Sequence, residues 1–139
     1  MRVIIVIAAA LLISLIACDK KETEAYVFKN IITDSTTMEE DEAFLSNLYL
    51  EILALSNSVS CTDPDEWKAT ALGAKACGGP QEYIAYNIKI DVELFLAKVT
   101  HFTNQQSLFN SKWGIMSDCS IPPAPSRIIC ENNKPVFYY

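Results

Sequence analysis

The chain has 139 residues, half of them apolar, and its 17 acidic and 11 basic side chains leave a formal net charge of −6. That length suits a single domain able to bury a modest core. The acidic balance argues against nucleic acid or an anionic lipid surface as the partner, because phosphate contacts need clustered Lys and Arg, and no such cluster exists.

Arg2 opens the chain, residues 3–13 form an unbroken apolar run, and charged Asp19-Lys20-Lys21-Glu22 follow abruptly. A basic start, an apolar stretch and a small residue before a cut describe a secretory signal peptide. The apolar run falls short of the ~20 residues that a spanning helix needs. Leu15-Ile16-Ala17-Cys18 resembles the bacterial lipobox. That resemblance implies cleavage after residue 17, diacylation of the Cys18 sulfur and acylation of the new amine. Two or three acyl chains hold a protein on a membrane where one chain binds only marginally. Cys18 is then the lipid anchor and stands outside the disulfide count, and the protein belongs to the bacterial cell envelope. Asp19 fits an inner-membrane retention rule, whereas Lys20-Lys21-Glu22 resembles surface-export tags of other lipoproteins, so the destination stays open. Without Arg2 ten basic residues face 17 acidic ones, a formal charge of −7. Residues 18–37 read as a charged tether with short apolar pieces, Tyr26-Val27-Phe28 and Ile31-Ile32.

The domain should occupy residues 38–139. Thr37-Met38-Glu39-Glu40 has capping-box spacing, and its acids suit the positive end of a helix dipole. Leu45, Leu48, Ile52 and Leu55 then recur at helical spacing, flanked by Phe44 and Tyr49, up to Ser56-Asn57-Ser58. A turn at Cys61-Thr-Asp-Pro-Asp precedes an alternating stretch over residues 67–72 that predicts a short strand. Gly73, Gly78, Gly79 and Pro80 mark a loop. Residues 83–90 carry two signals: Ile84, Tyr86, Ile88 and Ile90 alternate as in a strand, while the preceding Gly-Pro looks like a helix start, and a short helix is the expectation.

The clearest helix covers residues 91–112. Asp91 is the N-cap, Phe95, Val99, Phe102, Phe109 and Trp113 share one face, and Gly114 stands at a left-handed C-cap. After a Pro-rich connection, Arg127-Ile-Ile-Cys130 and Pro135-Val-Phe-Tyr-Tyr139 flank Glu131-Asn-Asn-Lys134 as a hairpin. Segregated helices and strands predict an α+β fold: two main helices packed on a small antiparallel sheet, in one disulfide-stapled domain.

Cys61, Cys77, Cys119 and Cys130 form an even set that reads as two disulfides in an exported domain. With no Cys-x-x-Cys pair and a single histidine, neither a metal nor a cofactor is expected. Short loops close at lower entropy, so Cys61–Cys77 with Cys119–Cys130 is the favoured pairing, and Cys77–Cys119 with Cys61–Cys130 is the close second.

No nucleophile elbow or phosphate loop occurs. His101 lies about 200° around the helix from Val99, at ~100° per residue, and should face solvent. Acid groups at Glu39-Glu40-Asp41-Glu42 and Asp63/Asp65/Glu66 read as solvated caps. The segment from Cys119 to Cys130 is proline-stiffened, and Pro122, Pro123 and Arg127 are its candidate binding residues. It faintly resembles the reactive loops of small serine-protease inhibitors. Lys75-Ala-Cys-Gly-Gly-Pro80, Tyr83-Ile-Ala-Tyr86, Trp113-Gly114, Ser117-Asp-Cys119 and the Lys134-Pro-Val-Phe-Tyr ending together resemble an uncharacterised family of exported bacterial proteins, a likeness that carries no activity. The functional expectation is a lipid-anchored, non-catalytic binding or inhibitory module whose partner is an envelope protein or glycan. The alternative is an envelope hydrolase using scattered carboxylates, which need no local motif.

Overall fold

The computed structural model describes residues 26–139, so the signal segment and Cys18 lie outside the described residues. Helix α1, Met38–Ser56, begins on a complete capping box: Glu40 N donates to Thr37 Oγ1 at 3.2 Å, and Thr37 N donates to Glu40 Oε2 at 2.8 Å. It buries Leu45, Leu48 and Ile52. Helix α2, Val92–Trp113, starts where Leu94 N donates to the Asp91 carboxylate. It ends at Gly114, whose φ of 60° is left-handed and free of penalty only for glycine. Phe95, Val99, Phe102 and Phe109 turn inward from it against α1.

Strands β1 (Trp67–Leu72) and β2 (Glu82–Asn87) form one antiparallel hairpin, in register from Trp67↔Asn87 to Leu72↔Glu82. Strands β3 (Arg127–Glu131) and β4 (Lys134–Tyr138) form another, closed by Asn132 and Asn133 at φ 52° and 62°. Two successive left-handed residues are the signature of a type I′ turn, which asparagine tolerates. The two hairpins are separate two-stranded sheets.

Alternation along the first hairpin explains the layering, because successive strand residues face opposite sides. Leu72, Ile84 and Tyr86 pack with Ile52, Phe95, Val99 and Phe102 of the helices. Trp67 and Ala85, on the other side, pack with Cys61, Ile128, Cys130 and Phe137. The order is therefore helix pair, hairpin β1–β2, hairpin β3–β4. A lone hairpin is marginal in water, and here each gains stability from the layer it covers.

The architecture is the α+β class expected from the sequence, stapled by two disulfides. Several expectations change. Cys61 pairs with Cys130 and Cys77 with Cys119, the second of the two pairings weighed. Loop entropy grows so slowly, about 0.6 kcal/mol per doubling of length, that packing of the layers overrides it. The helix expected over residues 83–90 is β2 plus a turn, and Pro80 belongs to the preceding glycine loop. His101 is buried, because residues beyond the apolar stripe of α2 are covered in turn by Phe28 and Phe44.

Residues 26–37, read from the sequence as the distal part of the tether, lie along α2. Ile32 is a core residue. The Gln105 side chain, fully buried, accepts from Ile31 N at 2.9 Å and Ile32 N at 3.0 Å, and its amide donates to Asn30 Oδ1 at 2.8 Å. Lys112 Nζ donates to Thr33 O and Thr36 O, both at 2.6 Å, and to Asp41 Oδ2 at 2.8 Å. Trp113 Nε1 donates to the same Asp41 oxygen at 2.9 Å. Burial works to raise the Asp41 carboxyl, but hydrogen bonds from Lys112, Thr36 and Trp113 and the Lys112 charge outweigh it and hold the group below its ordinary value.

Candidate functional site

Gly114 releases the chain from α2 into segment 115–126, which has no regular secondary structure. At its start Ile115 N donates to Asn110 O. In its middle Cys119 is bonded to Cys77, in the loop between β1 and β2. Gly78 and Gly79 beside Cys77 have φ of 91° and 81°, so this turn requires glycine. Lys75 clamps the junction, its Nζ donating to Asp118 Oδ1 at 2.8 Å and to Ser120 O at 2.6 Å. The Lys75 hydrogen bond, then that from Ser120, holds the Asp118 carboxyl below its ordinary value. At the far end both the N–H and the hydroxyl of Ser126 donate to Tyr138 O at 2.8 Å.

Between these fasteners the segment turns apolar side chains outward. Met116 is 93% exposed and Ile121 71%. Pro123 is exposed and Pro122 half-buried. Arg127 follows on β3, its guanidinium 4.2 Å above the Tyr138 ring. The sequence-predicted residues Pro122, Pro123 and Arg127 thus share one continuous stretch. The stretch is not closed on itself, since Cys119 and Cys130 belong to different bridges. Cys61 is buried in the second core, whereas Cys77 and Cys119 are solvent-exposed.

Four of the acids in these groups have structural duties. Glu40 completes the cap of α1, and Asp41 faces inward to Lys112 and Trp113. Asp63 caps the short 3-10 turn Pro64–Glu66, and Glu66 pairs with Lys89. His101 stacks on Phe28, centroids 5.0 Å apart, and meets Phe44 edge-on. Burial first, then the Lys98 charge, pushes its pKa down. Among the described residues no group of three or more His, Cys, Asp and Glu is arranged to hold a metal ion.

One feature escaped the sequence reading. An open groove of ≈ 520 Å³ runs between α1 and the β1–β2 loop, with Leu45, Leu72 and Phe102 in its lining. Tyr49 and Glu82 stand together on it, and burial followed by the adjacent carboxylate pushes the Tyr49 phenol up. Glu82 is opposite Leu72 in the hairpin register, so only the correct strand assignment places it there. No family model, curated protein or solved structure matches the chain.

Proposed function

We propose that the protein is a lipid-anchored, non-catalytic binding or inhibitory module of the bacterial cell envelope, held to its membrane through Cys18. The observation that supports this reading is segment 115–126, fastened by a disulfide, a lysine clamp and a Ser126–Tyr138 junction, with Met116 and Ile121 turned to solvent. A fastened loop loses little conformational entropy on docking, and apolar side chains held in water favour a surface that covers them. The commitment of Asp41, Asp63 and Glu66 to structural contacts weighs in the same direction.

The test places a photo-crosslinking residue at Ile121, and separately at Leu50, exposed on α1, in intact cells. A discrete adduct from position 121 that position 50 does not give is the expected result. Replacing Pro122, Pro123 and Arg127 by alanine should weaken that adduct while the thermal melt stays in place. Equal labelling at both positions, or none at 121, refutes the segment as the contact. Anchoring is read separately: Cys18→Ser should remove the protein from the membrane detergent phase or leave it unprocessed, and full partition of that variant would refute the lipid.

A second reading, a hydrolase using carboxylates, draws on Tyr49 and Glu82 in the groove. It requires Glu82→Gln to abolish a turnover that the wild type shows against envelope peptides or glycans.

A further inference from the structure

The path of residues 26–36 along α2 has a direction. Tyr26 Oη donates to Asp91 Oδ2 at 3.1 Å, at the N-cap of the helix. Phe28 lies on His101, Ile31 and Ile32 on Gln105, and Thr33 and Thr36 on Lys112 in the last turn. The segment therefore climbs the helix from its first turn to its last. Segment 115–126 leaves from that last turn. With 22 residues, α2 separates the two ends by roughly 33 Å at ~1.5 Å per residue.

The lower end, where the chain arrives from Cys18, holds apolar side chains in solvent beside the exposed Lys89, Asp91 and Glu93. Val27 is 91% exposed, and Tyr26 and Ile88 are each nearly half exposed, Ile88 standing three residues before the Asp91 cap. Two of its charges have partners: Lys89 pairs with Glu66, and the Asp91 carboxylate accepts from Tyr26 Oη and Leu94 N. Only seven residues, 19–25, separate Cys18 from Tyr26. Fully extended they span at most roughly 25 Å, so an acylated Cys18 keeps this end close to the lipid. Tyrosine beside aliphatic side chains suits the boundary between headgroups and acyl chains.

We infer that the end of the molecule carrying Tyr26, Val27 and Ile88 rests on the lipid bilayer, so that Met116 and Ile121 are presented at the opposite, membrane-distal end. This rests on the lipid anchor proposed above. The contact is apolar, so it does not require the basic patch that the acidic chain lacks, and a zwitterionic lipid is the appropriate probe.

The experiment uses the lipidated protein in phosphatidylcholine nanodiscs doped with a gadolinium-chelating lipid headgroup, with methyl signals as the readout. Val27 and Ile88 methyls should broaden strongly, while Met116 and Ile121 methyls stay sharp. Val27→Asp with Ile88→Asp should even out the broadening while the protein still co-purifies with the disc. Uniform broadening in the wild type, or stronger broadening at Met116 and Ile121, overturns the orientation and leaves the anchor standing. Failure of the wild type to co-purify with discs overturns both, through the anchor.

Discussion

Gln105 offers the sharpest test of how the N-terminal segment is held. Its amide is fully buried in α2 and makes three hydrogen bonds to the segment, two of them accepted from Ile31 N and Ile32 N. Gln105→Leu keeps the approximate volume but removes every polar atom. The Ile32 amide is buried and is left without an acceptor, while the Ile31 amide is half-buried and can regain water. A stranded buried amide costs about 1–3 kcal/mol and the lost Ile31 bond about 1 kcal/mol more, so the substitution should cost about 3 kcal/mol. With a urea slope of roughly 2 kcal/mol per molar for a domain of this size, the midpoint should fall by about 1.5 M. Urea unfolding followed by tryptophan fluorescence reads this directly, and Asn104→Ala, one residue along on the exposed side, is the control. Hydrogen exchange should localise the loss, with the amides of Ile31 and Ile32 released first. A midpoint indistinguishable from that of Asn104→Ala would refute the reasoning, because the amide would then be packing rather than bonding the segment.

The two bridges should differ in accessibility. Mild dithiol treatment of the folded protein should reduce the exposed Cys77–Cys119 bond before Cys61–Cys130, whose Cys61 is 2% exposed, and alkylation with peptide mapping checks the order. Simultaneous loss of both would contradict it. His101 predicts a pH dependence with a definite sign. Its folded value is depressed below the ordinary 6.5, so below that pH the unfolded chain takes up a proton that the folded chain resists. Stability conferred by the neutral ring is therefore present above pH 6.5 and lost as pH falls through the lower folded value. His101→Phe, which preserves the stack on Phe28, should flatten the stability profile between pH 7 and 5, and an unchanged slope would argue against the assignment. Asp41 adds a second, more acidic loss, since its depressed carboxyl stabilises the fold above its ordinary 3.8 and ceases to do so as pH falls below it. Asp41→Asn should remove that acid limb of the curve.

Much of the architecture was legible because it rests on local physics. Thr37 and Glu40 satisfy the first turn of α1 by themselves, Asp91 and Gly114 bound α2, and Asn132-Asn133 select the turn of the second hairpin. None of these depends on what packs against them. Over residues 83–90 the alternation and the Gly-Pro signal disagree locally, so neighbouring residues alone do not select the strand. What resolves it is β1, which pairs with β2 and buries Ile84 and Tyr86 against Phe95. The groove with Tyr49 and Glu82 was hidden for the same reason.

By itself, then, the sequence determined where α1 and α2 begin and end, which residues are apolar enough for the core, and that four cysteines would pair. These follow from interactions within a few residues of chain. Only the tertiary structure decided that Cys130 reaches back to Cys61, that His101 is covered, and that Gln105 and Lys112 hold residues 30–36 to α2. Those outcomes join positions from 69 to 79 residues apart. Loop entropy distinguishes poorly between such distant partners, and the stacking of three layers selects among them.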